Sequence, residues 1–302
     1  MTKTKNPVFS LGAHGTISDA LTFQRRSGVD FVRTKPIPQD RYSLPQAYHR
    51  WDYQDYAYLW HFQTPAEVAV WRASGARQGI TAFNAFMRDR LNNLPDLAAR
   101  WHLDEQTGAT AFDTSPNTNN GTIFGASPID GFISWARDFD GIDDRIQMPY
   151  NATLEPNNKT LEALILPQHT VGTHIIAGTF NYAGGLANKG YSLDFDGTTL
   201  RSYLATGTGA YLALNKAGVA LGVPHHVALI HDFDNSHAYL LLDGEQVHDL
   251  AITGYTPNTD TFWIGRILGT WYFLGIIDEV KLYNVAQPQE LMIRHAERRY
   301  PL

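Results

Sequence analysis

The chain of 302 residues contains no cysteine. That excludes disulfide staples, cysteine metal sites and thiol catalysis, so stability has to come from packing and from hard cations held by oxygen. No apolar run approaches the length of a membrane span, and Met1-Thr2-Lys3-Thr4-Lys5-Asn6-Pro7 lacks the apolar stretch of a secretory signal. A working place outside a cell would then be reached by lysis or by assembly into a particle. Signatures of chemistry are absent as well. There is no Glu-x-Asp-x-(x)-Glu run of the kind that places two carboxylates on one strand for glycoside hydrolysis; Asp194-Phe195-Asp196 and Asp278-Glu279 lack the third acid. Neither a Gly-x-Ser-x-Gly elbow nor a phosphate-cradling Gly-Lys-Ser/Thr occurs. The expectation is a protein that is not an enzyme.

Charge is unevenly spread. Residues 1–100 hold 13 Lys/Arg and 8 Asp/Glu, whereas the remaining 202 hold 11 and 22, which together give the net −6. A mildly basic first part and an acidic second part point to two modules with different neighbours. The basic excess is too small to imply nucleic-acid binding.

Residues 8–38 read as β structure. Leu21–Arg25 and Val29–Arg33 alternate apolar with polar around the Arg26-Ser27-Gly28 turn, and Pro36 and Pro38 start an extended linker. Residues 46–94 read as about three helices. The first, Gln46 to Phe62, is rich in aromatics, with Trp51, Tyr58 and Phe62 on one face. Thr64-Pro65-Ala66-Glu67 begins the second with a Thr N-cap, Pro at N1 and a Glu that closes a capping box. That helix ends near Gly75 or Gly79, and Thr81 caps a third that carries Phe83, Phe86, Met87 and Leu91. The aromatic stripe is expected to be core or oligomer interface. After Pro95–Arg100 the text becomes all-β, with short strands and frequent Gly, Asn and Asp turns until the final dozen residues.

Three units organise this second part: Phe139-Asp140-Gly141-Ile142-Asp143-Asp144-Arg145-Ile146, the hairpin Leu240-Leu241-Leu242-Asp243-Gly244-Glu245-Gln246-Val247, and Gly275-Ile276-Ile277-Asp278-Glu279-Val280-Lys281-Leu282-Tyr283-Asn284. They follow an opening Trp101-His102-Leu103-Asp104-Glu105 and a polar loop Asp113-Thr114-Ser115-Pro116-Asn117-Thr118-Asn119-Asn120-Gly121-Thr122. Together they resemble the LamG-like jelly roll, the concanavalin A-like β-sandwich, over essentially all of 101–302. Pro116 stands where that family usually has Gly. The fold expected is mainly β: a two-sheet antiparallel jelly roll at 100–302 behind a small α+β module at 1–95. From Ser10-Leu11-Gly12 to Phe83-Asn84-Ala85-Phe86-Met87 the first module resembles N-terminal modules of phage and prophage structural proteins.

The jelly-roll resemblance implies one structural Ca²⁺ between the first loop, the Asp-Gly turn and the last strand. By position it nominates Asp113, Asn117, Asp140 and Asp278, with backbone oxygens near Asn120 and Gly141; Asx-turns and loop caps are the alternative roles for such residues. A carbohydrate site would draw on Tyr182, Tyr203, Tyr211, Trp263, Trp271 and Tyr272, although the sequence cannot sort exposed rings from buried ones. His225, His226, His231 and His237 are expected to be structural, because neighbours in a strand face opposite sides. The sequons at Asn120, Asn151 and Asn158 need a eukaryotic secretory pathway that nothing else implies.

The reading is therefore a structural protein of a virus-like particle, such as a capsid decoration or a tail or fibre component. Residues 1–95 would bind other virion proteins or copies of the chain, and the jelly roll would face outward on the particle, where a host-surface glycan is the further partner. The alternative is a carbohydrate-binding lectin with an oligomerising N-terminal module. Neither nucleic acid nor membrane insertion is expected.

Overall fold

A computed structural model describes residues 15–17, 21–26 and 29–34 by their backbone, and residues 43–168, 172–181, 188–207, 210–267 and 271–298. The turn at 27–28, the linker at 35–42 and Tyr182 lie outside the described residues. Contacts divide the chain into two compact units, Met1–His49 and Arg50–Leu302. In the first, Leu21–Arg26 and Val29–Thr34 pair antiparallel, and Gly15–Ile17 adds a third strand.

The sequence places a break at 95–100, where the last N-terminal helix does end and the first sandwich strand begins. Arg50 to Asn93 nevertheless shares one compact unit with the sandwich. Helix α1 (Leu44–Leu59) runs into a short 3₁₀ turn, Trp60–Phe62. Helix α2 (Pro65–Gln78) starts with the reciprocal Thr64–Glu67 box and stops at Gly79, whose φ of 68° suits a residue without Cβ. Helix α3 (Ala82–Asn93) is capped by Thr81. Tyr56, Phe86 and Met87 form the core of this group, with Trp60, Trp71 and Phe83 packed around them.

The remainder is a sandwich of two antiparallel sheets. The first runs Glu245–Ala251, His237–Leu242, His225–Asp232, Lys159–Pro167, Leu274–Tyr283, Trp135–Asp140, Ser127–Asp130. Leu97–Trp101 pairs with the upper half of Leu274–Tyr283 and Trp135–Asp140 with its lower half. The second sheet runs Ala210–Lys216, Thr199–Gly207, Tyr191–Asp196, Thr173–Gly178, Phe262–Ile264, Arg145–Met148, Gly121–Phe124, Thr110–Ala111. Inward rows from both sheets make one core that includes Trp101, Phe139, Tyr191, Phe195, Phe262 and Phe273. The Asp140-Gly141 turn is a crossing between the sheets, since the strand before it lies in the first and the strand after it in the second. Asp243-Gly244 is a two-residue hairpin turn, with φ of 54° and 82° at its two positions, the twist that suits paired strands.

The two sheets differ in what covers them outside. Lys159–Pro167 is buried along almost its whole length, as a strand covered on both faces must be. Its cover includes helix α4 (Gln289–Glu297), whose Leu291 and Met292 pack on Ala228, Ile230 and Leu241 together with Tyr58 and Leu59 of α1. Beneath the helices a charged cluster is sealed in. Glu162 accepts from His226 (2.9 Å) and His295 (2.8 Å) and pairs with Lys281 (3.1 Å), while His295 also reaches Asp55 (3.1 Å), which Arg298 clamps. Burial alone would lower the His295 pKa, but Glu162 and Asp55, one on each nitrogen, reverse the effect and raise it.

A raised histidine pKa stabilises the fold fully below the unfolded value near 6.5 and loses that contribution as pH rises through the folded value. His295→Gln should therefore destabilise the protein by about 2–4 kcal/mol at pH 5.5. The gap to wild type in chemical unfolding should narrow as pH rises toward 9; a gap independent of pH would show that the imidazolium is not the stabilising species.

Candidate carbohydrate-binding cleft

The outer face of the second sheet is built by one hairpin. Asp196 pairs with Thr199 across Gly197-Thr198, and that register sets Asp194 opposite Arg201 and Ser192 opposite Tyr203. Alternation sends Tyr191, Leu193 and Phe195 into the core and so turns Ser192, Asp194 and Asp196 outward. On the next strand Ala205 faces Tyr211, and on the other side Thr173 faces Asp196 and Ile175 faces Asp194.

Aromatic rings gather on this face. Phe180 stacks on Tyr203 with centroids 5.2 Å apart, and Tyr211 meets Tyr203 edge-on at 5.1 Å. Trp263 and Trp271 pack against the same group. The rings and the polar row enclose a cleft of about 290 Å³, lined by Phe180, Tyr203, Tyr211 and Trp271 on its apolar side and by Thr173, Ser192 and Arg201 on its polar side. Tyr211 is 42% exposed and Phe180 3%. Arg266 lies over the rings of Trp263 and Tyr272, outside the cleft lining.

Arg201 is the polar centre. Its Nε donates to Asp194 (2.8 Å), one Nη to Asp196 (2.6 Å) and the other to the Thr173 hydroxyl (2.9 Å), and its guanidinium lies over Tyr203. Ser192 donates to the second oxygen of Asp194. Burial pushes the Asp194 carboxyl up to about 6 against the opposing pull of Arg201, so it is ionised above that pH. The side chain of Asp194 has no exposed surface, whereas that of Asp196 is 46% exposed.

Five of the rings named from sequence, at 203, 211, 263, 271 and 272, fall in this neighbourhood. Phe180 and Arg201 were missed. The sign of Arg201 was available: a two-residue turn at Gly197-Thr198 places it across from an outward carboxylate.

The four residues nominated for calcium are not brought together. Asp113 is the hub of its own loop, its two oxygens accepting from the Arg100 and Ser115 amides, the Ser115 hydroxyl and the Asn119 amide. Asn117 donates its side-chain amide to the carbonyls of Leu97 and Ala98. Asp140 closes an Asx-turn on Ile142 and Asp143. Among the described residues, ligand atoms converge within 4.8 Å at Asp140/Asp143/Asp144, His102/Asp104/Glu279 and Glu162/His226/His295. Lys281 already lies against the last of these. His225 is tied to Asp243 (2.8 Å), and both ring nitrogens of fully buried His231 lack a hydrogen-bond partner.

Asp278 stands beside the His102 cluster. One oxygen accepts from the Phe132 amide, and the other is buried without a partner. Burial, reinforced by Glu279 and Asp104, raises its pKa well above the ordinary carboxylate value. A carboxyl raised in this way weakens the fold at every pH above its unfolded pKa near 3.8, by an amount that grows until the folded pKa is passed. Asp278→Asn should raise stability at pH 8 in the presence of a chelator by about 1–2 kcal/mol. A loss of stability under those conditions would mean that hydrogen bonds from the protein itself outweigh the burial of the Asp278 charge.

A family model for the concanavalin A-like lectin/glucanases superfamily matches residues 139–290. The chain belongs to that superfamily. Among solved structures it resembles domain 4 of AbnA, an extracellular arabinanase from Geobacillus stearothermophilus determined with arabinotriose, at 20% identity and a TM-score of 0.53, over 67% of this chain and 98% of that one. It also resembles the binding domain of Paraclostridial Mosquitocidal Protein 1 (12%, TM-score 0.56, 67% and 52%) and the binding domain of botulinum neurotoxin serotype D (12%, 0.52, 68% and 52%). The chain spans about half the length of those two toxin domains, and at these identities the likeness is one of fold. No curated protein matches the chain. Among the described residues no helix is long and apolar enough to cross a membrane.

Proposed function

We propose that the protein is a carbohydrate-binding, lectin-like protein that holds a sugar in the cleft of its second sheet. The observation that carries this reading is the pairing of a tyrosine and tryptophan wall with a fixed row of hydrogen-bonding side chains on one open face. Sugars present just these two surfaces: an apolar patch of C–H groups that lies on an aromatic ring, and hydroxyls that both donate and accept. Tyr203 is held by Phe180 and Arg201, so the platform is set before any ligand arrives, which lowers the entropic penalty of binding.

The cleft holds and does not cut. A glycosidase needs a proton donor within reach of the glycosidic oxygen. Asp194, the carboxyl poised at about 6, is fully buried and engaged by Arg201 and Ser192. A virion setting rests on the resemblance of residues 10–87. Self-association through that part of the chain would present several clefts at once and raise avidity by roughly a hundred-fold or more.

Calorimetric titration with a glycan that binds the wild-type protein tests the site. Tyr203→Ala and Trp271→Ala should each weaken affinity about ten-fold or more, while the melting temperature moves by only a few degrees. Unchanged affinity in both variants would place the sugar elsewhere.

A further inference from the structure

The charge arrangement at Arg201 narrows the class of sugar, an inference that rests on the sugar-binding reading above. In many anion sites an arginine presents its fork to the ligand. Here the fork is already occupied from the protein side: Nε and one Nη face the carboxylates of Asp194 and Asp196, at 2.8 and 2.6 Å. One positive charge therefore sits between two negative ones: Arg201 is the charged residue in the cleft lining, and Asp194 and Asp196 stand beside it just outside that lining, so the trio together is net negative. The field of the surrounding module has the same sign, since residues 101–302 hold 22 Asp/Glu against 11 Lys/Arg. Among the described residues Arg266 also packs on this aromatic face, over Trp263 and Tyr272 and, like the two carboxylates, outside the cleft lining.

What remains available is suited to uncharged hydroxyls. A guanidinium carries five N–H donors, and three are used on Asp194, Asp196 and Thr173. Two are left, one on each Nη, and the half-exposed carboxylate of Asp196 lies against the same guanidinium. A donor pair beside an acceptor matches two adjacent hydroxyls of a sugar ring, one accepting from Arg201 and the other donating to Asp196. A carboxylate or sulfate at the same place would meet Asp196 and Asp194 within a few ångströms. The two remaining donors belong to a guanidinium whose charge is already shared by two carboxylates, and like charges so placed are strongly disfavoured in a partly dry site.

We propose that the cleft selects neutral sugars, reading a vicinal diol with Arg201 and Asp196, and that the same Asp194–Arg201–Asp196 arrangement rejects sialylated, uronic and sulfated glycans.

The test is a glycan array of matched pairs, each neutral oligosaccharide beside its sialylated, uronic or sulfated counterpart, probed at pH 7.5 with the full chain. Neutral glycans should bind, with their acidic counterparts about ten-fold or more weaker. Acidic counterparts that bind as well as or better than the neutral ones would overturn the inference while leaving the sugar-binding reading standing. A blank array would overturn that reading, and this inference with it. Asp196→Asn, at a half-exposed position where folding should be kept, removes one negative charge. It should raise the ratio of acidic to neutral signal by about five- to ten-fold, and an unchanged ratio would overturn the role given to Asp196.

Discussion

A strand cannot turn every second side chain into a core without turning the others out. On Tyr191–Asp196 that constraint joins fold to site. Tyr191, Leu193 and Phe195 are fully buried in the shared core, so the strand can neither slip nor flip by one residue without exposing three large side chains. Ser192, Asp194 and Asp196 are held outward by the same anchoring. The hairpin register then delivers Arg201 and Tyr203 opposite two of them. The placement of the Ser192, Arg201 and Tyr203 side of the cleft is thus inherited from core packing.

The second determinant is asymmetric cover. The first sheet has α4 and the end of α1 over its outer face, tied down by the Glu162–His295–Asp55 cluster, and its central strands are buried on both sides. The second sheet's outer face carries the rings of Phe180, Tyr203, Tyr211 and Trp271. Buried charges under the helices are matched closely, with Lys281, His226 and His295 all on Glu162. Those in the cleft share one arginine between two carboxylates. The first arrangement suits holding elements together, the second suits meeting a ligand.

Local signals were legible where chemistry is local. The Thr64 capping box, the Gly79 stop and the Asp243-Gly244 turn each follow from a few neighbouring residues. The aromatic rings could be named but not sorted, because exposure depends on which sheet is covered by helices distant in sequence. The residues nominated for calcium also have local roles that position along the chain does not show. Asp113, Asn117 and Asp140 carry suitable oxygens, yet each is engaged by backbone groups of its own loop or of the strand beside it, a geometry composition does not reveal. The helices from Arg50 onward look separable in sequence but meet the sandwich through Asp52–Arg100 and Asp55–His295, pairs 48 and 240 residues apart.

The most direct test of the central claim is NMR chemical-shift mapping of the labelled protein titrated with a pool of neutral oligosaccharides. The account predicts shifts concentrated on the Arg201 Nε–H, the Trp271 indole and the amides of Thr173, Ser192, Tyr203 and Tyr211. Shifts clustered under α4 and α1, or none at saturating sugar, would contradict it.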